Sequence, residues 1–154
     1  MPNDQKTAVI IIIGDEILSG RVRDENSPFL LKELTEKGVI VTSCITIPDQ
    51  ASVIADTVRY YSTRATWVFT VGGIGPTPDD ITMESIGLAF NLPLVTHPDL
   101  EVALKKLFGD RFRPEHLKMA RVPEGAFLVS SEQTAISSIQ FKNIIILPGV
   151  PEFA

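Results

Sequence analysis

The chain of 154 residues contains a single cysteine, Cys44, so no disulfide can form within it. A chain without a disulfide framework is typical of a reducing compartment, and we expect a cytoplasmic location. Because Cys44 lies in a predicted strand, we expect its side chain to be buried and inert.

Clusters of basic residues and long apolar runs are also missing. There are 14 Lys and Arg against 19 Asp and Glu, which gives a formal net charge of -5. Duplex nucleic acid and anionic membrane surfaces both require clustered positive charge. The first apolar run, residues 8–13, is far too short to span a bilayer, and Asp15 and Glu16 follow it where a signal peptide would have a cleavage site. We therefore expect a protein that binds neither nucleic acid nor a membrane.

The residues that are present describe a globular chain of one ordinary domain, with 44% apolar and 21% charged residues. Thr7–Ile13 is a nearly continuous β-branched run, which is typical of a strand buried on both faces of a parallel sheet. Strands and helices then alternate. We predict strands at 39–47, 66–71 and 144–147, and helices that begin at Ser27-Pro28, at Ala51, at Asp79 or Asp80, and at Pro98.

This alternation predicts an α/β fold: a three-layer α/β/α sandwich with a mostly parallel sheet. Two shorter strands are predicted at 126–129 and 136–141, and residues 141–143 suit a tight reversal into the last strand. We therefore expect a small antiparallel excursion in the C-terminal half. We assign 1–154 to one domain, and the chain ends in a turn without a winding-down composition, so we expect it to be excised from a longer chain.

Three of the predicted strands end in unusual loops: Gly14-Asp15-Glu16, Gly72 to Asp80, and Pro148 to Glu152. In a parallel sheet the carboxyl ends of the strands share one edge, and open α/β sheets bind their ligands at that edge. The coincidence of the three loops is the strongest indication of a site in the sequence.

The loop from Gly72 to Asp80 has the composition of a phosphate-binding loop. Gly72, Gly73 and Gly75 lack a Cβ, so the backbone can approach a ligand, and Thr77 adds a hydroxyl donor. The free N–H groups of the following helix favour an anion. Asp79 and Asp80 would repel a phosphate unless a divalent cation lies between them. The alternative is that one of them only caps the helix, and both readings can hold together.

The other two loops and Asn26 each leave an alternative open. Asp15 and Glu16 follow a buried strand and must be solvated, paired or bound to metal, or they are ordinary exposed turn acids. Asn26 belongs to a helix-capping turn or holds the loop at 14–20. Pro148 and Gly149 form a rigid turn or admit a ligand, with Glu152 as a further acid.

The stretches AVIIIIGDEILSGRVRDENSPFL, VFTVGGIGPTPDDIT and ILPGVPEF together resemble the molybdopterin-binding-like domain of the molybdenum cofactor biosynthesis superfamily. The chain is most similar to the N-terminal domain of CinA, the competence/damage-inducible protein, and to a domain of eukaryotic FAD synthases. The resemblance covers nearly the whole chain. It implies a three-layer α/β sandwich with a site at the place deduced above, and a homo-oligomer that is a trimer or a dimer.

The resemblance also implies an activity. Biosynthetic members bind molybdopterin, whereas the CinA-like and FAD synthase branches are associated with hydrolysis of ADP-ribose or FAD to release AMP. These reactions depend on a divalent metal, magnesium or cobalt, and on potassium. We expect Asp79 and Asp80 to be catalytic and Asp15, Asp79 and Asp80 to hold the metal. The ligand residues implied at matching positions are Asp15, Glu16, Gly73, Gly75, Thr77, Asp79, Asp80, Gly149 and Glu152.

One segment departs from the family pattern. CinA-like chains carry an Asn and a Gly-Thr-Ala-Pro-Gly stretch where this chain has SSEQTAISS at 130–138, which keeps only Thr134-Ala135. Three functions follow as hypotheses. The first is a metal-dependent nucleotide pyrophosphatase, the second a molybdopterin-binding module, and the third a domain that has lost activity and serves assembly or regulation.

Overall fold

The computed structural model describes residues 4–129 and 138–149. A six-stranded sheet forms its centre, in the order β2-β1-β3-β8-β7-β6. The strands are β1 (Thr7–Ile13), β2 (Ile40–Ile47), β3 (Trp67–Val71), β6 (Phe127–Val129), β7 (Ser138–Phe141) and β8 (Ile144–Leu147). The pairs β1–β2, β1–β3 and β3–β8 are parallel, and β6–β7 and β7–β8 are antiparallel. The mostly parallel sheet with a C-terminal antiparallel excursion is confirmed.

The described part of the chain contains five α-helices: α1 (Asp15–Leu18), α2 (Asn26–Glu36), α3 (Ala51–Ser62), α4 (Thr82–Phe90) and α5 (Pro98–Phe108). A second, two-stranded antiparallel sheet joins β4 (Leu94–Thr96) to β5 (Arg121–Pro123). Two 3₁₀ helices lie between α5 and β5, at Gly109–Arg111 and Pro114–Ala120. Within the described ranges, every helix is too short or too polar to cross a bilayer.

The two faces of the sheet carry separate apolar cores, which explains the unbroken β-branched run of β1. Val9, Ile11 and Ile13 point to one face, where they pack with buried residues of α3, α4 and α5. Ala8, Ile10 and Ile12 point to the other face and pack against Leu30 and Leu34 of α2. Helices therefore cover both faces, and the predicted three-layer sandwich is confirmed.

Two predicted helix starts are wrong. Helix α2 begins at Asn26, and Asp24 serves its first turn: Asp24 Oδ1 accepts from the backbone N–H of Asn26 at 3.1 Å and of Ser27 at 3.0 Å. The Ser27 hydroxyl also donates to Asp24, so Ser27 is a partner of the capping residue. Helix α4 begins at Thr82, two residues beyond Asp80, and no side chain caps it. Neither Asp79 nor Asp80 is its cap, because the Asp80 carboxylate is engaged by Thr77.

The prediction of a buried Cys44 is also wrong, because the side chain is exposed. Cys44 lies in β2, which is an edge strand with β1 as its neighbour in the sheet. Its register partner Ile10 is buried in the middle of the sheet. The periodicity that identifies a strand does not tell an edge position from a central one.

Candidate functional site

The described parts of the three unusual loops, which include residues 14–16, 72–80 and 148–149, meet at the carboxyl edge of the parallel strands, as expected. The backbone N–H of Gly14, after β1, donates to Ile47 O of β2 at 3.1 Å, and Gly72 N–H, after β3, donates to Leu147 O of β8 at 3.0 Å. A Cβ on Gly149 would lie 3.2 Å from the Cα of Gly72. The loops after β3 and β8 therefore touch through their backbones, and side chains at these glycines would separate them.

An acidic pair joins the ends of β1 and β2. The backbone N–H of Asp15 donates to Asp49 Oδ2 at 3.0 Å, and the N–H of Asp49 donates to Asp15 Oδ1 at 3.1 Å. Partial burial raises the pKa of the Asp49 carboxyl above its ordinary value, the hydrogen bond from Asp15 opposes this, and the charges of Asp15, Glu16 and Asp80 add to the rise. The carboxylates of Asp15, Glu16 and Asp80 thus all lie near enough to act on Asp49.

Asp49 is a site residue that the sequence reasoning missed, because Pro48-Asp49 looks like an ordinary turn. The available signal was its position. Asp49 follows the end of β2 just as Asp15 follows the end of β1.

The glycine-rich loop is folded against the start of α4. Gly72 and Gly73 have φ of 102° and 72°, a region that favours glycine. The hydroxyl of the fully buried Thr82 donates to Gly72 O at 2.9 Å, and its N–H donates to Gly73 O at 3.0 Å. A Cβ on Gly73 would lie 2.1 Å from Thr82 Oγ1. Thr82, also missed from the sequence, therefore fixes the loop conformation.

Asp80 ends a tight turn within this loop. Its Oδ2 accepts from the N–H of Thr77 at 3.0 Å and from the Thr77 hydroxyl at 2.6 Å, while its own N–H donates to Thr77 O at 3.0 Å. A Cβ on Gly75 would lie 2.7 Å from Asp80 Oδ2, so the glycine leaves room for the carboxylate. Asp79 is exposed at the corner of the turn.

Asn26 connects the start of α2 to the loop after β8. Its backbone N–H donates to Asp24 in the capping turn of α2, which agrees with the interpretation that Asn26 belongs to a helix-capping turn. Its buried side chain does something else: Nδ2 donates to Gly149 O at 3.1 Å. Asn26 thereby ties together two segments that lie 123 residues apart.

Two adjoining cavities open at this edge, with volumes of about 250 Å³ and 360 Å³. Both are lined by Glu16, Gly72 and Gly149. Asn26 lines the smaller cavity, and the larger one is lined by Gly73, Gly75, Asp80 and Pro148. Gly14, Asp15, Thr77 and Asp79 line neither. Glu152 and residues 130–137 of the divergent segment 130–138 lie outside the described residues.

The acids of the edge do not form a complete metal site by themselves. In residues 4–129 and 138–149, no three His, Cys, Asp or Glu side chains are grouped so that they could hold a metal ion. Magnesium in nucleotide sites is usually held by one or two carboxylates and completed by phosphate oxygens and water. The donor set fits an ion that is bound together with a phosphate ligand.

A three-layer α/β sandwich with paired cavities beside a glycine-rich loop and acids is the usual architecture of a small-molecule binding domain. Residues 9–154 match the family model described as "Probable molybdopterin binding domain". The chain belongs to this molybdenum cofactor biosynthesis family, and the resemblance noted from its motifs is confirmed.

Relatives of known name fall into the branches that the motifs indicated. A CinA-like protein of Sulfurihydrogenibium sp. is 33% identical over 94% of this chain and 38% of its own length. A "Probable FAD synthase" of Caenorhabditis briggsae is 31% identical over 99% of this chain and 33% of its own length. An Archaeoglobus fulgidus protein is 38% identical over 93% of this chain and 62% of its own length. The chain thus spans between a third and two thirds of these relatives.

Solved structures agree with the fold. CinA of Thermoplasma acidophilum, a protein described as being of unknown function, superimposes with a TM-score of 0.86 at 30% identity, over 98% of this chain and 92% of that one. MoaB of Thermus thermophilus, described as a molybdopterin biosynthesis enzyme, gives a TM-score of 0.60 at 20% identity, over 96% of this chain and 84% of that one. The second likeness shows a shared fold.

Proposed function

We propose that this domain is a metal-dependent nucleotide pyrophosphatase that cleaves a substrate of the ADP-ribose or FAD type and releases AMP. The observation that supports the proposal is the pair of cavities that adjoin at Glu16, Gly72 and Gly149. Ligand pockets commonly have volumes of about 300–1,000 Å³, so the two cavities together suit a two-part ligand better than either does alone. The glycine backbone between them suits the pyrophosphate that joins the two parts.

The glycines of the carboxyl edge would bind the phosphates, and the acidic residues would interact with the charged groups of the ligand. Gly72, Gly73 and Gly149 line the larger cavity. The N–H groups of Gly73 and Gly149 would hold phosphate oxygens, whereas the N–H of Gly72 is engaged by Leu147 O. Asp80 lines the larger cavity and is held in one orientation by Thr77, which suits a carboxylate that must meet a charged group. Glu16 lines both cavities and would reach both halves of the ligand.

Magnesium or cobalt is the cofactor of this proposal, with potassium as the accompanying monovalent ion. Asp80 and Asp15 are the residues that would hold the divalent ion, with Asp79 as a further candidate. When bound, such an ion polarises a phosphoryl group and lowers the pKa of water. Without it, the four neighbouring carboxylates would repel the phosphates of the ligand.

The test is AMP release from ADP-ribose and, separately, from FAD, each with magnesium or cobalt and with potassium. Asp80→Asn removes the charge but keeps an oxygen that can accept from Thr77, so the turn should survive. We expect kcat/KM to fall by about 100-fold, the usual order for loss of one charge-stabilising group. Asp56→Asn is the matched control, because Asp56 pairs with Arg59 on the exposed side of α3.

Release of no AMP from either nucleotide, or equal rates for Asp80→Asn and the parent, would contradict the proposal. Asp79→Asn in the same assay decides whether the exposed acid shares the predicted catalytic role.

The second candidate is a molybdopterin-binding module, which the description of the matching family model favours. The same cavities would then hold the pterin phosphate without hydrolysis. Binding of molybdopterin by the parent, with no AMP from either nucleotide, selects this function. A cytoplasmic location and a homo-oligomeric state, dimer or trimer, complete the proposal, and sedimentation of the purified chain tests the second.

A further inference from the structure

A lysine from the C-terminal half of the chain contacts the loop that carries Asp80. Lys118 lies in the 3₁₀ helix Pro114–Ala120, and its Nζ donates to the carbonyl oxygen of Thr77 at 2.5 Å. Its side chain is 28% exposed, compared with 68% for Lys37, which pairs with a carboxylate on α2. Lys118 is thus packed against the protein, unlike an ordinary surface lysine.

The Thr77 carbonyl is the acceptor that closes the turn of Asp80. It receives the N–H of Asp80 at 3.0 Å as well as the ammonium of Lys118. The N–H and the hydroxyl of Thr77 in turn hold the Asp80 carboxylate. A continuous chain of hydrogen bonds therefore runs from Lys118 through Thr77 to Asp80.

The other contact of Lys118 does not explain its position. Nζ lies 4.0 Å from Glu84 Oε1, at the outer limit of an ion pair, and Glu84 is 44% exposed. Such pairs contribute little because water screens them. A charged donor strengthens a hydrogen bond to a carbonyl, so the Thr77 contact dominates.

The backbone that carries Lys118 is firmly anchored. The 3₁₀ helix begins where Arg113 N–H donates to His116 Nδ1 at 2.9 Å, and the His116 ring stacks on Phe108 at a centroid distance of 3.9 Å. Its last residue, Ala120, is fully buried. Met119, next to the lysine, lines the same cavity as Asp80. One segment therefore forms a wall of the cavity and fixes the turn beside it.

We propose that Lys118 is a positioning residue of the site, which holds the Thr77–Asp80 turn and so directs the Asp80 carboxylate into the larger cavity. The proposal rests on the proposed function. In this role Lys118 acts on Asp80 through Thr77.

Kinetics of AMP release from ADP-ribose with magnesium separate positioning from binding. Lys118→Met keeps the length of the side chain and removes the donor. We expect kcat to fall by about 10- to 100-fold, because a small misplacement of a catalytic group costs that much, while KM changes little. Lys118→Arg restores a charged donor to the carbonyl and should recover most of kcat.

Two controls remove other causes. Lys37→Met deletes a lysine that has a carboxylate partner far from the site, and Glu84→Gln deletes the weak ion pair of Lys118 itself. Both should keep the kcat of the parent. An unchanged kcat in Lys118→Met, an equal loss in Glu84→Gln, or a loss of kcat that Lys118→Arg does not recover would overturn the proposal.

Hydrogen–deuterium exchange of the peptide that covers residues 72–81 tests the positioning role without any turnover. In Lys118→Met the amides of Thr77 and Asp80 should exchange several-fold faster than in the parent, and in Lys118→Arg they should not. If the parent releases no AMP, the proposed hydrolysis fails, and this exchange experiment alone decides on Lys118. Identical exchange in the parent and Lys118→Met would overturn the positioning role.

Discussion

At the scale of single residues, the unusual feature of the site is the number of carboxylates that meet at one edge of the sheet. Asp15 and Asp49 each accept a hydrogen bond from the other's backbone N–H, so both are held close despite their like charges. Keeping Asp49 ionised at this position is energetically unfavourable, because burial and the neighbouring charges raise the pKa of its carboxyl. A cation bound at this edge would offset this repulsion. In the proposed function, the unfavourable ionisation of Asp49 is therefore relieved when the ligand and its metal ion bind.

The unfavourable ionisation of Asp49 in the folded protein predicts that the effect of Asp49→Asn on stability depends on pH. A raised pKa in the folded state means that ionisation disfavours folding. The penalty is absent well below the ordinary pKa of the carboxyl, grows as the pH rises from the ordinary pKa to the folded pKa, and is constant above it. Asp49→Asn removes it, so the variant should gain stability over the parent at pH 7 but not at pH 3.5, by less than about 1 kcal/mol because the group is partly solvated. Urea unfolding of both proteins at the two pH values measures this, and a gain of equal size at both values would contradict it.

Single residues also show what the sequence could and could not reveal about the site. Gly72, Gly73, Gly75 and Asp80 were predictable, because the end of a buried strand locates them. Asp49 and Thr82 were not, since one resembles a turn residue and the other acts through a hydroxyl that meets Gly72 O only in the folded chain. Asp79 and Asp80 are adjacent in sequence, and only the hydrogen bonds to Thr77 distinguish them.

At the scale of elements, the junction between β3 and α4 depends on glycine for two separate reasons. Gly73 has a positive φ, and a Cβ there would meet the buried hydroxyl of Thr82. Gly20 has a similar φ of 77° but nothing within 4 Å of a Cβ. Gly20→Ala should therefore lower the free energy of unfolding by about 1 kcal/mol through backbone strain alone. Gly73→Ala should cost about 1–3 kcal/mol more, because Thr82 must also move.

Urea unfolding followed by the fluorescence of Trp67 compares the two variants. Equal losses would show that Thr82 moves aside freely and that the loop is less rigid than its hydrogen bonds indicate.

Helices and strands whose ends are marked by proline, glycine or a change in residue type were predictable from the sequence. The strand Thr7–Ile13 has the predicted bounds because a β-branched run defines it, and the helix Pro98–Phe108 begins at the predicted residue because proline favours the first helical position. The start of α4 was not predictable, because Asp79 and Asp80 resemble helix caps in the sequence but belong to the turn that precedes the helix. Strands β4 and β5 have three residues each, too few for a periodic pattern, and they exist because they pair with each other.

At the scale of the whole molecule, two asparagines fix the opposite ends of the sheet in the same way. Asn26 Nδ2 donates to Gly149 O at the carboxyl edge. Asn143 Nδ2, at the amino edge just before β8, donates to Ser62 O at 2.8 Å and Ala65 O at 3.1 Å. Each side chain joins segments that are distant in sequence, and Asn26 is buried whereas Asn143 is half-buried. Substitutions at these two positions therefore distinguish an effect on stability from an effect on ligand binding, because only Asn26 contacts the candidate site.

Replacing either asparagine by aspartate puts a carboxylate oxygen where a donor faced a carbonyl. Each variant should lose about 1–3 kcal/mol of unfolding free energy, the cost of leaving an acceptor without its donor, with Asn143→Asp at the lower end because this residue is half-buried. Only Asn26→Asp should also weaken the binding of ADP-ribose with magnesium, because Gly149 lines both cavities and would lose its anchor. Urea unfolding gives the first quantity and isothermal titration calorimetry at a temperature where both variants are folded gives the second. If Asn143→Asp weakens binding as much as Asn26→Asp, affinity follows global stability and the carboxyl edge has no special part in holding the ligand.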